Sequence, residues 1–150
     1  MLKSMASEFS GGLETLKAWK VARSFRNTIN NLVNTFGEEE KYLLKHQLLK
    51  SSRSVGNAIA RGYGCYSAED IIRYCRIARG YLLETLDHLY IALDEKYISS
   101  QTFHLVEKEY EHLLKLLNGY IGYLKKKEEL QGGDLDLLME EGLRYGGEGT

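Results

Sequence analysis

SVGNAIARGYGCYS, residues 54–67, leads after a short stretch into IARGYLLETLDHLYIALDEKYIS, residues 77–99, and the order of features in these runs decides the fold. Ser51, Ser54, Gly56, Ala58 and Ala60 keep one helix thin enough for close packing. Gly62 and Gly64 read as the glycines of a turn with unusual dihedrals, and Ser67 with Asp70 reads as a capping pair that starts the next helix. A small-residue helix, a Gly-rich elbow and a capped helix make an α-hairpin. No catalytic constellation stands in this stretch, so function has to be sought in surfaces.

Outward from the hairpin, apolar residues recur at helical spacing. Helix 1 is expected over about residues 13–36, with Trp19, Ala22, Phe25, Ile29, Leu32 and Phe36 on one face and Gly37 as its stop. Helix 2 begins with Glu38, Glu39 and Glu40, charges that favour a helix N-terminus, and turns Leu44, Leu48, Ser51, Val55, Ala58 and Ile59 inward. Helix 3 carries Ile71, Cys75, Ala78, Leu82, Leu86, Leu89 and Leu93 and closes around residues 94–97. Helix 4 opens near Ser99 or Ser100 with the cleanest heptad, Phe103, Val106, Tyr110, Leu113, Leu117, Tyr120 and Leu124, which implies left-handed bundle packing. With no Pro in 150 residues and short connections, the expected fold is all-α, an antiparallel up-down-up-down four-helix bundle over residues 13–127. Residues 1–12 are expected to be a flexible N-terminus, and residues 128–150 an acidic, Gly-rich tail with a short docking helix as one option.

Apolar and aromatic residues also lie off the main stripes: Tyr74, Tyr81, Tyr90, Leu114, Ile121 and Tyr123. Either they form a subunit interface or they flank the core as half-exposed side chains.

Several chemistries find no support. Cys65 and Cys75 stand outside any CxxC or Cys/His ligand spacing, no cleavable signal precedes the first helix, and the apolar runs are too short to span a membrane. A reducing cytoplasm is the expected compartment. Glu109 and His112 make one Glu-x-x-His spacing, but helical phase sets Glu109 beside the core and His112 away from it, and no second such spacing completes a metal pair. Glu84 and His88, one turn apart, read as a local pair. Gly62-Tyr63-Gly64 joins two helices and lacks the phosphate-loop pattern. No enzymatic activity, metal or cofactor is expected.

Charge carries more information. Residues 13–127 hold 18 Lys/Arg against 13 Asp/Glu, whereas residues 128–150 hold seven acids and a single base, Arg144. A basic body suits a polyanion, and the acidic tail either competes for that surface or aids solubility. Stepping 100° per residue, Lys50, Arg53, Asn57 and Arg61 share the outer face of helix 2. Lys20 and Arg23 point outward from helix 1, Arg73 and Arg76 lie on the exposed side of helix 3 with Arg79 near the core boundary, and Lys125, Lys126 and Lys127 end the fourth helix. With Tyr63, Tyr66 and Tyr74 interleaved, Lys20, Arg23, Lys50, Arg53, Arg61, Arg73, Arg76 and Arg79 form a candidate surface for RNA or DNA.

The same residues resemble the four-helix-bundle family that includes proteins encoded in 23S rRNA intervening sequences and the accessory variability determinants of diversity-generating retroelements. The likeness covers about residues 13–127. It rests on the Trp19 region, Tyr42-Leu-Leu-x-x-Gln47, Ser54-Val55, Ile59-Ala60-x-Gly62, Gly64-x-x-Ser67, Ala78-x-Gly80 with Glu84, and Lys96-Tyr97-Ile98. The resemblance implies a ring-like homo-oligomer, frequently a pentamer, without enzymatic activity, and for the accessory determinants a reverse transcriptase partner and nucleic-acid binding through basic surfaces. Gly37 stands where family members often carry Pro, and Arg61 stands where an Asn-Ile-Ala-Glu-Gly run carries its acid. Two functions are therefore expected to compete: a nucleic-acid-binding accessory protein, and a protein-interaction scaffold without a direct nucleic-acid role.

Overall fold

The structure, a computed structural model, describes residues 12–37 and 42–131. Among these residues there are four long helices and no strand: α1 (Lys17–Val33), α2 (Tyr42–Tyr63), α3 (Ala68–Asp94) and α4 (Ser100–Gln131). Local signals set several of their ends. Ser67 Oγ accepts from the Asp70 backbone N–H at 3.1 Å, and Ser99 Oγ accepts from that of Thr102 at 3.1 Å. Each cap satisfies a donor that the first helical turn leaves open, worth about 1 kcal/mol. The acidic start expected for helix 2, Glu38 to Glu40, and the ends of the chain, residues 1–11 and 132–150, lie outside the described residues.

The expected first helix is divided. Residues 12–15 form one helical turn, Leu16 takes an extended backbone (φ −73°, ψ 113°), and α1 begins after it. Leu16 is buried, so the break turns its side chain into the core. At the far end α1 stops at Val33, ahead of Gly37. Thr35 and Phe36 N–H donate to the Leu32 and Val33 carbonyls in a tightened last turn, and the Thr35 hydroxyl also bonds Leu32 O at 2.6 Å.

The helices pack in a closed circuit, α1 on α2, α2 on α3, α3 on α4 and α4 on α1. Cross-helix pairs run in opposite senses along the α1–α2 and α3–α4 seams: Gly12 beside Tyr63 and Ala22 beside Gly56, then Arg79 with Asn118 and Tyr90 with Phe103. The arrangement is an antiparallel bundle around one core, with Phe25, Ile29, Leu48, Leu82, Leu113 and Leu117 fully buried. Each such side chain removed from water stabilises the fold by about 1.5–3 kcal/mol. All seven heptad positions expected on α4 are buried. Polar contacts sit inside as well: Thr85 Oγ1 donates to Ser51 Oγ at 2.8 Å across α2 and α3, and Thr28 Oγ1 donates to Glu109 Oε1 at 3.2 Å across α1 and α4. No helix among the described residues is long and apolar enough to cross a membrane.

Two expectations about local conformation are corrected. No described glycine has a positive φ, so Gly62 and Gly64 do not supply unusual dihedrals; Gly62 is still helical and buried. A Cβ built there would lie 3.0 Å from Tyr74 Cβ, so the glycine's role is to let α3 approach α2. The left-handed residue is Lys96 (φ 61°), where Lys96 N–H donates to Leu93 O and Tyr97 N–H to Ala92 O, the double closure of a Schellman turn. The off-stripe residues also divide. Ile121 is buried in the core, Leu114 and Tyr123 pack against it, Tyr74 is half-buried, and Tyr81 and Tyr90 stay exposed.

Candidate nucleic-acid interface

The interface is built on α2, whose apolar positions face inward and leave a polar outer ridge. Lys50, Arg53, Asn57 and Arg61 are all exposed along it. Gly56, one residue before Asn57, is buried against α1: a Cβ there would lie 3.8 Å from Arg26 Nη1, 3.9 Å from Trp19 Nε1 and 4.0 Å from Ala22 Cβ. This approach sets α1 beside the ridge and opens a groove of about 440 Å³ lined by Arg26, Asn27 and Asn30 of α1 and by Arg53 and Asn57 of α2. A second hollow of about 290 Å³, lined by His46, Leu49, Lys50, Arg53, Ser54 and Asn57, adjoins it. Arg53 and Asn57 belong to both, and among the described residues neither lining contains a carboxylate.

Sequence reasoning found the α2 half of this groove and missed Arg26, Asn27 and Asn30. The missed signal was phase. Lys20, Arg23, Asn27 and Asn30 are spaced by three, four and three residues, one outward face of α1, but amides add nothing to a charge count. Lys20 and Arg23 are exposed on that face, and the Arg23 guanidinium lies 5.9 Å from the Trp19 ring centroid.

The remaining expected cations are engaged or turned away. Arg61 and Arg73 close on Tyr74, with guanidinium carbons 5.4 Å and 5.0 Å from its ring centroid, joining the end of α2 to the start of α3. Arg73 also bonds Asp70 at 3.3 Å. Arg79 Nη1 donates to Asn118 Oδ1 of α4 at 2.8 Å. Steps of three residues carry Arg73, Arg76 and Arg79 progressively around α3, so they do not extend the ridge as one face. Arg76 is exposed, and Tyr66, in the turn beyond Arg61, is 91% exposed.

Titratable groups elsewhere do not converge. Among the described residues no group of three or more His, Cys, Asp or Glu side chains is placed to hold a metal ion. His88 is buried with Nε2 3.5 Å from Glu84 Oε1, and neither ring nitrogen has hydrogen-bond geometry to a partner. Glu109 lies beside the core and His112 outside, as helical phase required. Burial pushes the Cys75 thiol up to about 12, which leaves it un-ionised at neutral pH and a poor nucleophile.

The family described as 23S rRNA-intervening sequence protein matches residues 14–119. Among solved structures, the chain is similar to a protein with unknown function from the S23 ribosomal protein family of Bacteroides thetaiotaomicron VPI-5482. The two are 25% identical over 69% of this chain and 97% of that chain, with a TM-score of 0.65. No curated protein matches.

Proposed function

The chain belongs to the family of 23S rRNA-intervening sequence proteins, and we propose that it is a non-enzymatic, oligomeric nucleic-acid-binding accessory protein of the cytoplasm that partners a reverse transcriptase in a diversity-generating retroelement. The observation that supports nucleic-acid binding is the α1–α2 groove, where cations and amides converge and, among the described residues, no carboxylate joins the lining. Lys and Arg there neutralise phosphates, and the exposed Tyr66 offers a ring for an unpaired base, which gives salt-sensitive and largely sequence-independent binding. The reverse transcriptase partnership rests on the family resemblance of the sequence.

Assembly as a ring-like homo-oligomer, a pentamer in this proposal, is supported by α3. Ile77, Tyr81 and Ile91 lie along one side of its outer surface and Leu83 and Tyr90 along another, all exposed. Two different apolar strips on one subunit suit the head-to-tail contacts from which rings close. Repetition around a ring multiplies a modest charge into a strong field. The same strips favour a second reading, a protein-interaction scaffold with no direct nucleic-acid role.

Fluorescence anisotropy separates the two. Labelled structured RNA is titrated with the size-selected oligomer, stripped of bound nucleic acid, at low and physiological salt. Saturation that weakens with salt is the expected result; absence of binding even at low salt replaces this function with the scaffold.

A further inference from the structure

The two hollows on the α1–α2 front share Arg53 and Asn57 and form one furrow, open to solvent along its length. From His46 to Asn57 it follows α2 for about 17 Å at the helical rise, too long for a single nucleotide. We propose that this furrow is a binding site for single-stranded RNA that distinguishes ribose from deoxyribose, with Arg26 and Arg53 on phosphates and the amides of Asn27, Asn30 and Asn57 on 2′-hydroxyls. The proposal rests on the nucleic-acid reading above and sharpens it to one substrate class.

The composition of the lining carries the argument. A surface made only to neutralise a polyanion needs cations, and the furrow has them in Arg26, Lys50 and Arg53. It also has three amides, which a phosphate uses only as donors. An Asn side chain is donor and acceptor at once, and so is a 2′-hydroxyl; deoxyribose offers nothing in that place. Among the described residues Leu49 is the sole apolar side chain of the lining, which gives the apolar face of a docking helix no floor there.

These side chains are also uncommitted. Among the described residues, none of Arg26, Asn27, Asn30, Arg53 and Asn57 has a side-chain hydrogen bond or ion pair, in contrast to Arg73 with Asp70 and Arg79 with Asn118. A strand entering the furrow displaces water and breaks no protein contact. The Arg26 guanidinium lies beside Gly56, its Nη1 3.8 Å from where a Cβ would stand. An acidic peptide satisfies the guanidinium groups equally well, and its backbone N–H and C=O can pair with the amides, so poly-glutamate serves as the competitor.

The test uses the full chain and three probes of one unstructured sequence, labelled as RNA, as DNA and as 2′-O-methyl RNA, with poly-glutamate as competitor. Two neutral hydrogen bonds per bound segment predict that the wild type binds RNA about tenfold more tightly than DNA, with the 2′-O-methyl strand falling toward DNA. The double variant Asn30→Ala/Asn57→Ala is expected to lose most of the RNA preference, read as the ratio of RNA to DNA affinity so that any amide contact common to both phosphate backbones cancels. Arg26→Gln/Arg53→Gln is expected to weaken RNA and DNA alike and to reduce the salt dependence of both. All four positions are on helix surfaces, and circular dichroism verifies that the variants fold. Equal affinity of the wild type for RNA and DNA overturns the ribose preference while leaving nucleic-acid binding standing. Retention of the preference in the Asn variant overturns the assignment of the amides, and displacement of RNA by poly-glutamate at equal charge overturns the choice of ligand. Failure to bind either nucleic acid removes the parent reading as well.

Discussion

α2 meets its two neighbours across glycines in contrasting surroundings. At Gly62 the seam with α3 is shut: the absent Cβ would lie 3.0 Å from Tyr74 Cβ, and Arg61 and Arg73 close over the Tyr74 ring. At Gly56 the absent Cβ would meet α1 only in ordinary contact, 3.8 Å from Arg26 Nη1, 3.9 Å from Trp19 Nε1 and 4.0 Å from Ala22 Cβ, and beside it the seam opens into a groove. Steric closure and charge satisfaction travel together. Where helices pack tightly, long cationic side chains lie down on the neighbour and find partners; where they splay, the same residue types stand over water with none. A count of basic residues treats both kinds alike, although only the second is free to meet a ligand without giving up a contact.

The comparison predicts the largest effect for a branched side chain at the shut seam. Gly62→Val should cost about 1–3 kcal/mol in urea unfolding through overpacking against Tyr74 and Ile71, whereas Gly56→Ala should be neutral or stabilising by up to about 1 kcal/mol, as helix propensity gives. Equal losses at the two positions would break the contrast. Next in size is charge reversal: Arg53→Glu should weaken RNA binding by about tenfold or more, and Arg73→Glu by less than about threefold because that cation already serves Asp70 and Tyr74. The clearest sign of the difference is that Arg73→Glu lowers the melting temperature and Arg53→Glu does not. The smallest effect concerns the turn where a left-handed backbone occurs without glycine. Lys96→Gly should raise stability by about 1 kcal/mol, read from the denaturation midpoint.

Most of the helical architecture was legible because it is written at short range. The heptad from Phe103 to Leu124 states its own buried face, and Ser67 and Ser99 cap within three residues of their partners. The break at Leu16 was not legible, since Leu16 continues an apolar pattern and only the core it must reach decides where the chain bends. The glycine elbow was placed correctly and explained wrongly, because the distance to Tyr74 belongs to another helix. The candidate site divides in the same manner. The ridge on α2 followed from phase alone, while the groove depends on Arg26, Asn27 and Asn30 arriving from α1, and the commitment of Arg79 depends on Asn118, far along the chain.

The buried hydroxyl pair at the centre of the α2–α3 seam limits how these helices can be aligned. Apolar side chains repeat along both, so sliding one helix past the other by a turn of about 5.4 Å would still bring leucine and alanine together at modest cost. Thr85 and Ser51 oppose the substitution: a slide separates Oγ1 from its 2.8 Å partner and leaves each hydroxyl only the carbonyl of its own helix, Tyr81 O at 2.9 Å and Leu48 O at 3.4 Å. The pair thus acts as an index mark that favours one alignment of α2 on α3, the one in which Arg61 meets Tyr74.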